Sequence, residues 1–359
     1  MVLKKTEEYN ERLIWVAFKS KVLMKSHSIG RLFLWVMFSM AFSLPPRAWA
    51  VSKSPAGLAE PYPQHPVRLV CPFPAGGGSD VVARTIAEKL SSRWGQSVIT
   101  DNRSGASGTI GTDIVAKAAP DGYTLLLSSS SAIAVYPALQ GVAFKQLAQQ
   151  LTPVALINQV PFLLVVHPGF TAKNITELIL AAKAKPGLIN YASSGNGSAS
   201  HLSMVLFESL AGIQLNHIPY KGSNPAVIDL VGGQVAVGFN NIVPALPHVR
   251  SGRLRALAVS GPQRSHLIPD IPTVAESGLS RFEALQWYGV LAPAKTPLPL
   301  VTQLNQALNA VIDIASVSKQ LAEEGGNTVH STATEFSVHI QKEISKWTTI
   351  IKSSKIRAE

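Results

Sequence analysis

VRLVCPFPAGGGSDVVARTIAEKL, residues 67–90, carries the pattern that decides the fold class. It opens on a short apolar run, Val67-Arg68-Leu69-Val70-Cys71, of the length of a strand. A turn of small residues follows, Pro72-Phe73-Pro74-Ala75-Gly76-Gly77-Gly78. Beyond it Val82, Ile86 and Leu90 recur every fourth residue, which puts them on one face of a helix. The same alternation runs outward along the chain. Ser97–Thr100, Thr124–Ser128, Phe162–His167, Leu188–Ala192, His217–Pro219, Val235–Phe239 and Leu254–Ser260 read as strands. Residues 110–118, 175–184 and 198–211 read as helices, as do a segment that opens on Pro225 and closes at Gly232-Gly233, and 300–312 and 316–324. A last long helix starts at the capping box Thr332-x-x-Glu335 and turns Phe336, Ile340, Ile344, Trp347 and Ile351 to one side. Strands alternating with helices predict an α/β fold with mostly parallel sheets covered on both faces.

Upstream of this body lies a different kind of sequence. Residues 32–44, LFLWVMFSMAFSL, follow Lys25 and Arg31 and precede Ala48-Trp49-Ala50. Positive segment, apolar core and Ala-x-Ala end are the parts of a cleavable secretory signal. The run is 13 residues long, short of the roughly 20 that a spanning helix needs. Cleavage after Ala50 and a periplasmic location are therefore expected over a permanent anchor. Residues 1–23 carry mixed charge and precede Met24, so either the true start is Met24 or the leader is long. Residues 51–64 are rich in Pro, Ser, Ala and Gly and read as a flexible lead-in. The first 50 residues hold eight of the 32 Lys/Arg and three of the 21 Asp/Glu, so the other 309 residues keep a net charge of +6 out of +11. That balance favours anionic solutes, while the scatter of the basic residues argues against nucleic acid. A lone cysteine, Cys71, leaves no internal disulfide and sits in an apolar run, where a buried and inert thiol is expected.

Three stretches place a small-residue turn between a strand end and a helix start: residues 73–80, 193–198 and 220–225. Helix starts leave backbone N–H groups unpaired and bear partial positive charge, which suits carboxylate or phosphate. Ordinary turns with an Asp or Ser cap have the same composition, and both readings stay open for each loop. Asp80 either caps its own helix, as Ser79 could, or receives a ligand amine. Ser128-Ser129-Ser130-Ser131 offers hydroxyls at another strand end, or forms a solvated loop. No Gly-x-Gly-x-x-Gly and no Gly-Lys-Ser/Thr is present, so nucleotide signatures are excluded and no cofactor is expected. The histidines show no metal-ligand spacing, and no Gly-x-Ser-x-Gly elbow occurs. Ser198 with His201 three residues on reads first as a helix cap with a packing histidine. No reaction is indicated, and a hydrolase or transferase using the glycine loops is the remote rival to a binding function.

The ordered set Pro72–Asp80 with Ala83-Arg84, Asp101-Asn102-Arg103, Gly108-Thr109-Ile110-Gly111, Ala119–Tyr123, Asn190–Gly197, Pro219–Gly222, Gly232–Val235 and Asp270–Glu276 resembles the Bug-type extracytoplasmic receptors of tripartite tricarboxylate transport systems. The similarity spans roughly residues 62–357. It implies a periplasmic-binding-protein-like fold of type II: two α/β lobes, a central ligand cleft and a hinge. Residues 65–160 plus 287–359 would form lobe 1 and 161–286 lobe 2, with chain crossings near 160 and 286. It further implies a small organic acid as ligand and membrane permease subunits as partner; a membrane sensor is the alternative partner. Nothing marks a self-association surface, so a monomer is expected. Carried over residue by residue, Phe73, Gly77, Ser79, Asp80, Ser128, Ser194, Gly195, Ser198 and Tyr220 are implied to meet the ligand, with Lys221 and Trp287 as weaker additions. Three positions depart from the family pattern. Ala75 replaces a proline of the first loop. Phe239-Asn240-Asn241 stands where Phe-Asp-Asn is usual, so Asn240 and Asn241 would hold water differently and select less for an amine. Residues 144–151 replace an acidic stretch with Lys145-Gln146-Leu147-Ala148-Gln149-Gln150, a change with no evident reason.

Overall fold

The computed structural model describes residues 62–140, 147 and 149–354. The leader, the lead-in up to residue 61 and, within 144–151, residues 144–146 and 148 lie outside the described residues. Tyr62, still within the expected lead-in, is tied to the body by a hydrogen bond from its hydroxyl to the Gly122 carbonyl.

Among the described residues ten strands join in one continuous sheet: β1 (Val67–Cys71), β2 (Val98–Asn102), β3 (Thr124–Ser129), β4 (Leu151–Val166), β5 (Asn190–Ser193), β6 (Asn216–Pro219), β7 (Val237–Asn241), β8 (Arg255–Val259), β9 (Leu285–Pro293) and β10 (Asn327–Thr328). Their order is β2-β1-β3-β9-β4-β7-β5-β6, with β8 and β10 also paired to β4. β1, β2 and β3 run parallel at one end, and β5, β6 and β7 at the other. Between them β9 and β4 are antiparallel to their neighbours. The expectation of mostly parallel sheets therefore holds for the ends and fails in the middle, where the chain passes from one α/β half to the other. β4 does this alone. Residues Leu151–Pro161 pair with β9, whereas Phe162–Val166 lie between β7 and β8.

The helices are α1 (Gly78–Trp94), α2 (Thr109–Ala116), α3 (Tyr136–Gln140), α4 (Ile175–Ala184), α5 (Ala199–Ala211), α6 (Ser223–Val231), α7 (Ile242–Arg250), α8 (Leu298–Ile312), α9 (Ala315–Glu323) and α10 (Ala333–Ser354). Most stand where the periodicity places them. α6 begins two residues earlier than expected, at Ser223, so Pro225 is its third residue and not its first. The capping box at α10 forms: Glu335 N–H donates to Thr332 Oγ1 at 3.1 Å, and Thr332 N–H donates to Glu335 Oε2 at 2.8 Å.

Alternation along the strands sorts the apolar side chains into cores on the two faces of the sheet. In the first half Leu69, Cys71, Leu125 and Leu127 pack with Ile86, Leu90, Leu304 and Leu308. Val70 and Leu126 point the other way, into a core with Trp287, Phe336 and Trp347 that continues through Leu164, Tyr191, Phe207, Phe239 and Phe282 of the second half. Leu163, Val165, Ala226, Leu230 and Ile242 close the remaining face. Cys71 is fully buried, and burial pushes its thiol up to about 11, so it is inert at neutral pH. Trp287 also belongs to the core: its ring is buried, and its indole N–H points at Glu343 Oε2, 3.4 Å away. No described helix is long and apolar enough to cross a membrane.

Candidate functional site

Both parallel ends of the sheet present helix starts to one cleft of about 510 Å³. From the first half come Gly76, Gly77, Gly78 and Val82, the turn after β1 and the first turn of α1. From the second half come Lys221, Gly222, Ser223, Asn224 and Pro225, the turn after β6 and the start of α6, with Asn241, Val243 and Pro244. Asn158, Val160, Gln286 and Tyr288 of β4 and β9, and Glu324 after α9, complete the wall.

Local sequence explains why these two helix ends face open space. The residues before α1 and α6 are Gly77 and Gly222, which have no side chain to cap the first N–H groups. Those donors stay available to an anion, and the helix dipole adds to their attraction. Gly78 must be small, because a Cβ there would stand 2.9 Å from the Tyr288 hydroxyl. Tyr288 is buried, and burial pushes its phenol up to about 12 even though the Ser79 hydroxyl bonds to it.

Asp80 is occupied inside the first loop. Its Oδ2 accepts the Gly76 N–H at 3.0 Å and Arg84 Nε at 2.9 Å, and its Oδ1 accepts Asn102 Nδ2 at 3.0 Å. Burial would raise this carboxyl, but the bonds from Arg84, Gly76 and Asn102 outweigh it and hold the pKa below the usual carboxylate range. The expectation that Ser79 or Asp80 caps its own helix is thus corrected: the cap position is Gly77, and Asp80 reaches back to brace the glycine turn. Asn102 also donates to the Phe73 carbonyl at 3.0 Å. Phe73 itself is half-buried, with its ring beside Gly108.

The second loop, residues 193–198, is built differently and is not part of the cleft wall. Ser198 is the N-cap of α5, accepting the His201 N–H at 3.2 Å. Ser194 N–H donates to Ser200 Oγ at 3.0 Å, and the hydroxyls of Ser194 and Ser198 lie 2.9 and 3.1 Å from that same oxygen. Gly195, at φ +131°, takes a conformation open to glycine, and a Cβ there would meet the Tyr220 carbonyl at 3.2 Å. Below the loop the imidazoles of His201 and His217 stack at 3.8 Å, with Ser193 Oγ 2.6 Å from His217 Nε2. His201 Nδ1 accepts the Gly197 N–H at 3.1 Å, so this ring is neutral with its proton on Nε2. Burial, reinforced by His217, pushes the His201 pKa down to about 3.

Of the other expected site residues, Asn241 lines the cleft, and Lys221, a weaker addition, lines it too. Tyr220 is tied back by its hydroxyl to Asp229 at 2.7 Å; desolvation, reinforced by Asp229, pushes its phenol up to about 12. Ser128 and Asn240 are buried, and Ser128 Oγ and Asn240 Nδ2 make no hydrogen bond in the described chain. The same holds for both amide atoms of Asn158, which is fully buried at the cleft wall. Asn158, Gln286, Tyr288 and Glu324 escaped sequence reasoning, which attended to helix starts. A signal for Asn158 was present, since it and Gln159 are the only polar side chains within the apolar run of residues 153–166. No cluster of three or more metal-ligating side chains occurs among the described residues.

Comparison with known proteins agrees with this architecture. A family model described as "Tripartite tricarboxylate transporter family receptor" matches residues 82–356. Protein BugT of Bordetella pertussis is 41% identical over 305 residues, which cover 83% of this chain and 94% of BugT. The structure of R. palustris Rpa4515 with adipate superposes with a TM-score of 0.73 at 35% identity, covering 83% of this chain and 99% of that one. MatC (Rpa3494) from Rhodopseudomonas palustris with bound malate gives a TM-score of 0.69 at 33% identity, covering 81% and 100%.

Proposed function

We propose that this chain, which belongs to the tripartite tricarboxylate transporter receptor family, captures a small organic carboxylate in the cleft and delivers it, in the periplasm, to the permease subunits of a tripartite transporter. One observation carries the reading: two uncapped helix starts, from opposite halves, open on a single cleft beside a fully buried amide with no internal partner. Helix N–H groups hold a carboxylate, and the described wall adds one cationic side chain, Lys221, and no arginine. The similar structures with adipate and malate support a carboxylate ligand.

The lobes of this reading are residues 65–160 plus 287–359 and residues 161–286. The change of partners along β4 between Pro161 and Phe162 supports that division. A carboxylate reaching both helix starts would draw the lobes together, since its contacts differ between open and closed forms. Gly77 and Asn241 act at the cleft with Asn158 and Tyr288, while Ser79, which bonds to Tyr288, Asp80 and the second loop hold shape. The protein performs no chemistry on its ligand in this reading; the Ser198 hydroxyl is engaged with the His201 N–H and Ser200. Thermal unfolding of the purified protein against a panel of small carboxylates and their amides tests the proposal. An acid at 100 times its dissociation constant stabilises by about 2.7 kcal/mol, and its amide does not. Equal stabilisation by acid and amide would refute carboxylate recognition.

A further inference from the structure

We infer that Glu324 sets which organic acid the cleft takes, and that the preferred ligand carries, besides its carboxylate, a hydrogen-bond donor in the form of a hydroxyl or ammonium group. This rests on the organic-acid reading of the same cleft. The wall has three ionisable side chains: Lys221, Tyr288 and Glu324. Donors gather where α1 and α6 begin. The corner at Glu324 has the opposite character, because Glu324 follows directly on α9, at the helix end that carries partial negative charge. Among the described residues Glu324 makes no ion pair and no side-chain hydrogen bond. Its charge acts on Tyr288, whose phenol it helps to raise and whose hydroxyl meets the start of α1.

Asn158 shares this corner. Its Nδ2 lies 2.6 Å from where a Cβ on Gly326 would stand, so the turn Glu324-Gly325-Gly326 packs on the same stretch of β4. The cleft therefore offers backbone donors at one side and, at the other, a carboxylate packed beside the buried Asn158. A second ligand carboxylate placed at Glu324 would face a like charge in a poorly screened space. A hydroxyl or ammonium there gains a charge-assisted hydrogen bond. Selection then works by attraction and by repulsion at once.

The test uses matched ligands on the full-length protein, with dissociation constants from calorimetry. One set is succinate, malate and aspartate; the other is 3-phenylpropanoate with its 2-hydroxy and 2-amino derivatives. In the set that binds, a donor-bearing acid should bind at least about tenfold more tightly than its unsubstituted parent, as for sites built to bond a hydroxyl or amine. The hydroxy and amino arms identify the donor. Glu324→Gln should remove most of that ratio, chiefly by weakening the donor-bearing acids, and Glu324→Asp should restore part of it. Parent and derivatives binding alike to the unaltered protein would overturn the inference and leave the organic-acid reading intact. So would a Glu324→Gln protein that binds every acid more weakly by one common factor, the behaviour of a closing contact with Lys221. Failure of every acid to bind would overturn both.

Discussion

The loops at 73–80 and 193–198 look alike as sequence: each follows a strand, is rich in glycine and serine, and leads into a helix. In the fold they do different things. The first ends on Gly77, has no side-chain cap, and leaves the start of α1 facing the cleft. The second ends on Ser198, whose hydroxyl takes the His201 N–H, while Ser194 bonds to Ser200 of α5 and Ser193 to His217. The start of α6, after Gly222, follows the first pattern. The residue at the cap position therefore decides whether a helix end is free to meet an anion; the abundance of glycine around it does not.

Four substitutions put this contrast under strain. The largest effect should come from Gly78→Leu, which fills the space before the Tyr288 hydroxyl. Carboxylate affinity measured by calorimetry should fall about a hundredfold, or ~2.7 kcal/mol, in a protein that still unfolds cooperatively. Unchanged affinity would remove α1 from the site. Next, Asp80→Asn should cost about 2 kcal/mol of stability by weakening bonds to a buried charge. Its pH dependence has a definite sign. The folded pKa lies below the unfolded value of about 3.9, so the stabilisation is fully present above that value and is lost as pH falls through the folded pKa. Chemical denaturation of the two proteins should converge in acid, and a gap that persists there would exclude the ionised carboxylate as its source.

Asn158→Leu separates binding from folding. Replacing a buried amide that has no internal partner should leave stability equal or higher, while affinity falls about tenfold, or ~1.4 kcal/mol. A loss of stability with no loss of affinity would make Asn158 a structural residue. The smallest effect belongs to the second loop. Ser198→Ala should lower stability by about 1 kcal/mol through loss of a cap and change affinity by less than about threefold, under 0.7 kcal/mol. A large loss of affinity would break the contrast and return this loop to the cleft.

The α/β class was legible because strand and helix periodicities are local, and β1, α1 and α10 lie where their apolar spacing puts them. The helix starts at the cleft were legible for the same reason. What could not be read was pairing between distant segments. β4 is a 16-residue strand, only part of which showed itself, at Phe162–His167. β9 shows no alternation to betray it, because both of its faces are buried. Asn158 and Tyr288 owe their place to the register that sets them side by side. Glu324 reaches the cleft because two glycines lay its turn on that strand. The parallel sheets were over-read because nothing in a strand's own residues announces an antiparallel neighbour far away in sequence.

A strand that belongs to both halves has a consequence for how the molecule comes apart. Melting the second half withdraws β7 and β8 from Phe162–Val166, and the freed end continues directly into the nine residues registered on β9. Neither half can lose its order while the other keeps a complete sheet. Denaturant titration should then give one transition common to tryptophan fluorescence and far-ultraviolet dichroism, with a single slope reporting the surface of the entire body. Hydrogen exchange should find the amides of β4 and β9 among the last to open, since only global unfolding releases them.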